Sequence, residues 1–354
     1  MRRLGIAPAS AREQAQHLQS GGEGFQALPP RPAGALRRTS AELEIPASER
    51  MGRTFHVLAD TGGVKEPAPQ LAVSKAMAAD LSARPDVAFA WHVGDIDYFT
   101  GEPPEYGPQF YEAYAGYNRH ILGIPGNHDG EGGDQLAAFM TNLCASTPQL
   151  LPQFAEYNRD TITQPYCYWT LLDPAVTIIG LYSNVPSGGE IQADQAEWLA
   201  GELKAAPAGK PLIVSLHHPP YSIDAHHGGS QRMGELLDKA FEAAGRCPNI
   251  VLSGHVHDYQ RFTRKFWERE ITYLVVGNGG YHNLHELAPG ATPGEEVTKD
   301  VVYEYGDASS WGFLRLTVES QDGVDNVIQG EYVQVAKDGT VTPGADKFTL
   351  NGPF

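Results

Sequence analysis

Five short stretches carry side chains able to hold cations or move protons. They are Asp60 in ADTGG, Asp95, Asp97 and Tyr98 in GDIDY, Asn127, His128 and Asp129 in GNHD, His217 and His218 in SLHH, and His255 and His257 in GHVH. Seven of the thirteen histidines fall at 128, 217, 218, 226, 227, 255 and 257. Taken singly, each residue has an ordinary reading: an Asp behind an apolar run caps a turn, an Asn takes a left-handed turn position, and a lone His is hydrogen-bonded in the core or on the surface. Independent caps would not gather in this way. Carboxylate, amide, imidazole and phenol together make an oxygen and nitrogen donor set without thiolate, suited to hard or borderline cations. Zinc alone rarely recruits a tyrosine. A phenolate is a hard anionic donor that favours a trivalent ion, and oxidised iron fits that description.

Each stretch directly follows an apolar run: FHVLA, VAFAWHV, HILGIP, PLIVS and NIVLS. These runs alternate with helical patterns in PQLAVSKAMAADLSAR, FYEAYAGY, IQADQAEWLAGELKAA and QRMGELLDKAFEAAG, the signature of an α/β sheet. In such sheets ligands bind just past the carboxyl ends of strands, where all five stretches fall. From Tyr259 onward DYQRFTR, ITYLVVG, GFLRLTV and VIQGEYVQV read as strands without long helices between them. The expectation is one domain over 52–354 whose two halves each contribute a sheet.

The chain has 354 residues, 41% of them hydrophobic, enough for a sizeable core. Residues 1–51, including GGEGFQALPPRPAGALRR, lack apolar periodicity and read as an N-terminal arm, flexible or packed on the main domain. No run of 18 apolar residues occurs, so no membrane span is expected. The net charge is -17, yet residues 1–50 carry seven Arg against five Glu, so the acid belongs to the rest of the chain. Such a surface repels phosphate backbones, and nucleic acid is not an expected partner. Cys144, Cys167 and Cys247 are distant and odd in number, which suits buried thiols better than a disulfide framework or a cysteine zinc site. The start MRRLGIAPASAREQ has too weak an apolar stretch for a secretory signal, so a cytoplasmic location is expected ahead of a secreted one or a transit peptide.

The five blocks, D-x-G, G-D-x-x-Y, G-N-H-D, V-x-x-H and G-H-x-H in that order, resemble those of the purple acid phosphatases, a branch of the calcineurin-like metallophosphoesterases. Most of that superfamily has D-x-H in the first block; here Gly62 stands in its place and Tyr98 is gained in the second. The resemblance implies a four-layer αββα sandwich of two mixed sheets flanked by helices. It implies Fe(III) held by Asp60, Asp95, Tyr98 and His257, and a divalent ion (Zn, Mn or Fe) held by Asp95, Asn127, His217 and His255, with Asp95 shared between them. His128 is then the candidate general acid. His226 and His227 of HHPPYSIDAHH are candidates to orient phosphate, as a similar pair does in the larger, plant-type members.

Asp97 is expected to be solvated or hydrogen-bonded rather than ligating, and His218 to hydrogen-bond near the ligands. The implied reaction is hydrolysis of the monoester of a small phosphorylated substrate; a phosphodiesterase or nucleotide hydrolase is the alternative. A silent scaffold is disfavoured because all seven donors are present. Ala59 stands where the family has Gly, and the arm is too short for the β-sandwich domain of the plant-type enzymes. Loops 101–118, 186–192 and 283–300 are expected to set specificity without offering readable chemistry.

Overall fold

The apolar runs become strands because both of their faces are covered. In the computed structural model, which describes residues 28–47, 52–132, 134–184, 188–321 and 325–354, the first two long runs are buried at nearly every position. The reading of the extreme N-terminus lies outside the described residues. In chain order the strands are β1 (Arg37–Thr39), β2 (Gly52–Leu58), β3 (Val87–His92), β4 (His120–Gly123), β5 (Trp169–Leu172), β6 (Thr177–Gly180), β7 (Leu212–Ser215), β8 (Ile250–Ser253), β9 (Tyr259–Phe266), β10 (Arg269–Val276), β11 (Glu296–Thr298), β12 (Val301–Asp307), β13 (Trp311–Gln321), β14 (Asp325–Val335) and β15 (Val341–Asn351). The helices are α1 (Pro67–Ala83), α2 (Ala137–Leu143), α3 (Ala193–Ala205) and α4 (Gln231–Ala244). Helix α1 starts on a proline, whose missing N–H costs nothing there. Helix α4 is capped by Ser230, which accepts from Met233 N at 3.1 Å, and stops at Gly245 in the left-handed region. Of FYEAYAGY only residues 110–112 are helical, at the end of a short turn, Gly107–Glu112.

The strands make two mixed sheets flanked by helices. One has six strands in the order β15-β14-β13-β2-β3-β4; the other has nine, β1-β5-β6-β7-β8-β10-β9-β12-β11. Helix α1 packs on the smaller sheet, while α3 and α4 pack against each other and, through α3, on the larger. The expected division of one sheet per half does not hold. The chain returns after β12, and β13 pairs antiparallel with β2 (Val57 opposite Leu314), so the last three strands complete the first sheet. No local pattern announces so distant a pairing. The described part of the N-terminal arm joins the edge of the larger sheet: β1 runs parallel to β5, Leu36, Leu43 and Ile45 are buried, and Asp173 takes both Ser40 Oγ at 2.5 Å and Arg53 at 2.7 Å.

One core lies between the sheets and another between the larger sheet and α3–α4. Trp91 and Trp169 meet in the first at 5.3 Å, and each indole N–H is satisfied, by Ser215 Oγ at 2.9 Å and Gly123 O at 3.1 Å. In the second, Leu199, Leu203, Leu237 and Phe241 are wholly buried, each worth roughly 1.5–3 kcal/mol of removal from water. Registers align the loops that matter: Leu58 faces His92 and His92 faces Gly123 in one sheet, while Gly180 faces Ser215 and Ser215 faces Leu252 in the other. The carboxyl ends of β2, β3, β4, β7 and β8 therefore open side by side.

Candidate metal centre

Asp60 follows β2, Asp95 and Tyr98 follow β3, Asn127 and His128 follow β4, His217 follows β7, and His255 and His257 follow β8. The structure brings all seven predicted donors together in two groups with Asp95 between them. In one, the Tyr98 hydroxyl donates to Asp60 Oδ1 at 3.2 Å and lies 3.3 Å from His257 Nε2, which is itself 3.5 Å from Asp60 Oδ1. In the other, Asn127 Oδ1 lies 3.2 Å from His217 Nε2 and 3.0 Å from His255 Nδ1. His217 Nε2 is also 3.2 Å from Asp95 Oδ2, and donor atoms of Asp95, His217 and His255 all fall within 4.8 Å of one another. Asp60, Asp95 and His255 sit in the left-handed backbone region, a conformation costing roughly 1–3 kcal/mol each that persists only where the surroundings hold it.

The surroundings do so through hydrogen bonds. His217 Nδ1 lies 2.9 Å from Val93 O and His257 Nδ1 lies 2.8 Å from Asn283 O; a carbonyl only accepts, so both rings carry a proton there and turn Nε2 inward. Asp60 Oδ2 accepts from His255 N at 2.8 Å, and Asp95 Oδ1 from His128 N at 2.9 Å. Asp129 gathers the amides of Ile96, Asp97 and Gly126, tying the second block to the third. Of the two surroundings expected for Asp97, solvent or a hydrogen bond, the structure shows the second: it is wholly buried and accepts from Gln109 Nε2 at 2.8 Å. His218 bonds Ser183 Oγ at 2.9 Å and stands 4.5 Å, ring to ring, from His255.

Burial pushes the Tyr98 phenol well above its usual range, and the charges of Asp95 and Asp60 push it further. Burial, reinforced by Asp95, raises Asp60 to about 7, although His217 works in the opposite direction. Burial also opposes charge on Asp95, but His217 and His128 outweigh it and hold that carboxyl well below its usual range. Two buried carboxyls and a buried phenol face one another here, with His217 and His128 foremost among the side chains whose charge offsets Asp95. An oxygen and nitrogen donor set of that kind fits cations.

Why Tyr98 is admitted can be read from Gly62. A Cβ at that position would overlap Tyr98 Cδ2 and Gln109 Oε1, and the ring's Cγ would lie 3.2 Å away. The aromatic ring fills the space that any side chain at 62 would need. It is stacked on Tyr281 at 4.1 Å, and Gln109 grips its backbone, accepting from Tyr98 N at 2.9 Å and donating to Tyr98 O at 2.5 Å. Gly94 has a comparable duty: it has φ 97°, and a Cβ there would meet His217 Nδ1 at 2.6 Å.

Of the remaining candidates, His128 stands at the rim. Its Nδ1 lies 2.8 Å from Phe99 O and its ring 4.4 Å from Tyr98. Burial opposes its charging, but Asp95 and Glu131 outweigh burial and push its pKa up to about 10. His227 comes within 4.8 Å of His255, ring to ring, whereas His226 is exposed and its ring faces His285 at 5.1 Å. Sequence reasoning passed over Gln109, Asp224, Tyr281 and His285, and named Asp129 in GNHD without giving it a role. Gln109 and His285 lie in segments that offered no signal.

A model of the calcineurin-like phosphoesterase family matches residues 53–259. The chain belongs to this family. It is 33% identical over 132 residues to Purple acid phosphatase 15 of Arabidopsis thaliana, covering 34% of this chain and 24% of that protein. It is 27% identical over 209 residues to a 3′,5′-cyclic-nucleotide phosphodiesterase of Nostoc sp., covering 56% of this chain and 62% of that one. The matched segments span about a quarter of the length of the plant relatives. Among solved structures, GAP50, the anchor in the inner membrane complex of Plasmodium, superposes with a TM-score of 0.61 at 15% identity over 85% of this chain and 89% of that one, a likeness of fold.

Proposed function

We propose that this calcineurin-like phosphoesterase hydrolyses phosphate monoesters of small substrates at a two-cation centre of the purple acid phosphatase type. The observation that carries the reading is the pairing of Gly62 with Tyr98: a buried phenol occupies the space of the first-block side chain and points its oxygen at Asp60 and His257. Asp60, Asp95, Tyr98 and His257 would hold Fe(III); Asp95, Asn127, His217 and His255 would hold Zn, Mn or Fe in the divalent state. The chemistry that two such ions supply is neutralisation of phosphoryl charge and a lowered pKa for water at the site.

The chain's own side chains do the rest. His128, anchored through Nδ1 on Phe99 O, would in its imidazolium form present Nε2–H as the proton donor for the leaving alkoxide. His227, beside His255, binds a phosphoryl oxygen, and the exposed His226 reaches the outer part of the substrate. The alternative reading, a phosphodiesterase, is supported by the similarity to cyclic-nucleotide phosphodiesterases over more than half of the chain.

Turnover of nitrophenyl phosphate, bis(nitrophenyl) phosphate and a cyclic nucleotide, measured side by side on enzyme loaded with iron and zinc, tests the choice. A kcat/KM for the monoester at least about tenfold above both diesters is expected. The reverse order would hand the site to diester hydrolysis.

A further inference from the structure

The loop before the histidine pair contains a buried acid that the chemistry above does not use. The Asp224 carboxylate is fully buried, and three consecutive amides converge on it: His226 N at 3.0 Å, His227 N at 3.0 Å and Gly228 N at 2.6 Å, with Ser222 Oγ at 3.3 Å. Burial alone would raise its pKa, but His285 and these amides hold the carboxyl well below its usual range. The segment 283–288 is zipped onto the same loop, with Ala225 N on Glu286 O at 2.8 Å and Ala288 N on Ile223 O at 2.7 Å. That segment also holds a candidate cation ligand. His285 N donates to His257 O at 2.9 Å, and Asn283 O takes the proton of His257 Nδ1. The His285 ring stacks on His257 at 4.3 Å, stands 4.8 Å from His227 and places Nδ1 3.5 Å from Asp224 Oδ2.

We propose that Asp224 and His285 are positioning residues that set where the imidazoles of His226 and His227 stand relative to His257, and so determine how tightly phosphate is gripped. The carboxylate fixes the backbone of the pair from below, and the His285 ring spaces His227 from the ligand His257. A hydrogen bond to phosphate holds over about 2.7–3.2 Å, so a shift of either imidazole beyond that range weakens the grip. This inference rests on the proposed hydrolysis of phosphate esters.

The test is steady-state kinetics on metal-loaded enzyme with an aryl phosphate, with inorganic phosphate as competitive inhibitor. Asp224→Ala is expected to raise KM and the phosphate inhibition constant together by about 10–100-fold, with iron content unchanged. Asp224→Asn, which keeps one acceptor oxygen, recovers part of that loss, and His285→Ala moves the same two constants in the same direction. In the His226→Ala/His227→Ala background the Asp224→Ala change falls below about twofold, because nothing is left to position. An equal rise in both backgrounds, or a loss of iron with no recovery in Asp224→Asn, overturns the inference and leaves a structural role. If Asp224→Ala does not fold, unchanged constants in His285→Ala overturn it equally. A wild type inactive on every phosphate ester overturns the proposed function as well, whereas an active wild type with unaffected variants sinks this inference alone.

Discussion

The packing of Gly62 against Tyr98 gives a number that can be checked without any metal. Of the three atoms nearest to a Cβ built on Gly62, two belong to the Tyr98 ring and one is Gln109 Oε1. None of them can withdraw easily: the ring is wholly buried and stacked on Tyr281, and Gln109 is tied to Asp97 Oδ1 and to both backbone groups of Tyr98. Gly62→Ala therefore overpacks a site that cannot relax, which costs about 1–3 kcal/mol. Tyr98→Ala removes a buried aromatic ring and costs about 3–5 kcal/mol by itself. Once the ring is gone, the added methyl has room on the side of two of its three clashes. The double variant should then be more stable than the sum of the single losses predicts, by at least about 1 kcal/mol. Urea unfolding of the metal-free protein, with midpoints compared at constant slope, reads this directly. Additivity within about 0.5 kcal/mol would refute the idea that glycine at 62 exists to admit the phenol.

Three other outcomes follow from the same geometry. His128→Ala should lower kcat by about 10²–10⁴-fold for an alkyl phosphate and by less than tenfold for nitrophenyl phosphate, whose leaving group needs no proton; equal losses on both would deny it the role of acid. Removal of bound ions with a chelator should lower the unfolding midpoint, because ions that bind only the folded chain stabilise it by mass action; ions present at a thousand times their dissociation constants contribute about 4 kcal/mol, and an unmoved midpoint would argue against a built cation site. Burial would raise the pKa of Asp80, but His56 at 2.9 Å and Arg315 at 2.7 Å prevail and hold it near 2, below its unfolded value. Its contribution, about 2 kcal/mol, is therefore complete above pH 4 and lost as pH falls toward 2, so Asp80→Asn should flatten the acid limb of stability between pH 4 and 2; a limb of unchanged slope would count against it.

The donors were legible because each sits in the first few residues past an apolar run, a local relation that survives in one dimension. Strand ends, the helices PQLAVSKAMAADLSAR and QRMGELLDKAFEAAG, and the lack of a place for thiolate could all be read in that way. What supports the donors could not. Gln109 and His285 lie in segments with no pattern, and they matter only because the fold lays 101–118 over Tyr98 and 283–288 over His257. The return of β13 to β2 and the edge pairing of β1 with β5 likewise depend on partners more than a hundred residues away. For Asp97 the sequence left solvent and a hydrogen bond open, and the choice between them is made by Gln109, a dozen residues on, which donates to it in a buried setting.

The central claim is that the Tyr98 oxygen is a ligand of oxidised iron. The visible absorption spectrum of the iron-loaded protein, recorded beside that of Tyr98→Phe at matched iron content, addresses it most directly. A broad phenolate-to-iron band that colours the native protein and vanishes in the variant is the predicted result. A colourless protein with its full complement of iron, or a band that survives the loss of the hydroxyl, would contradict it.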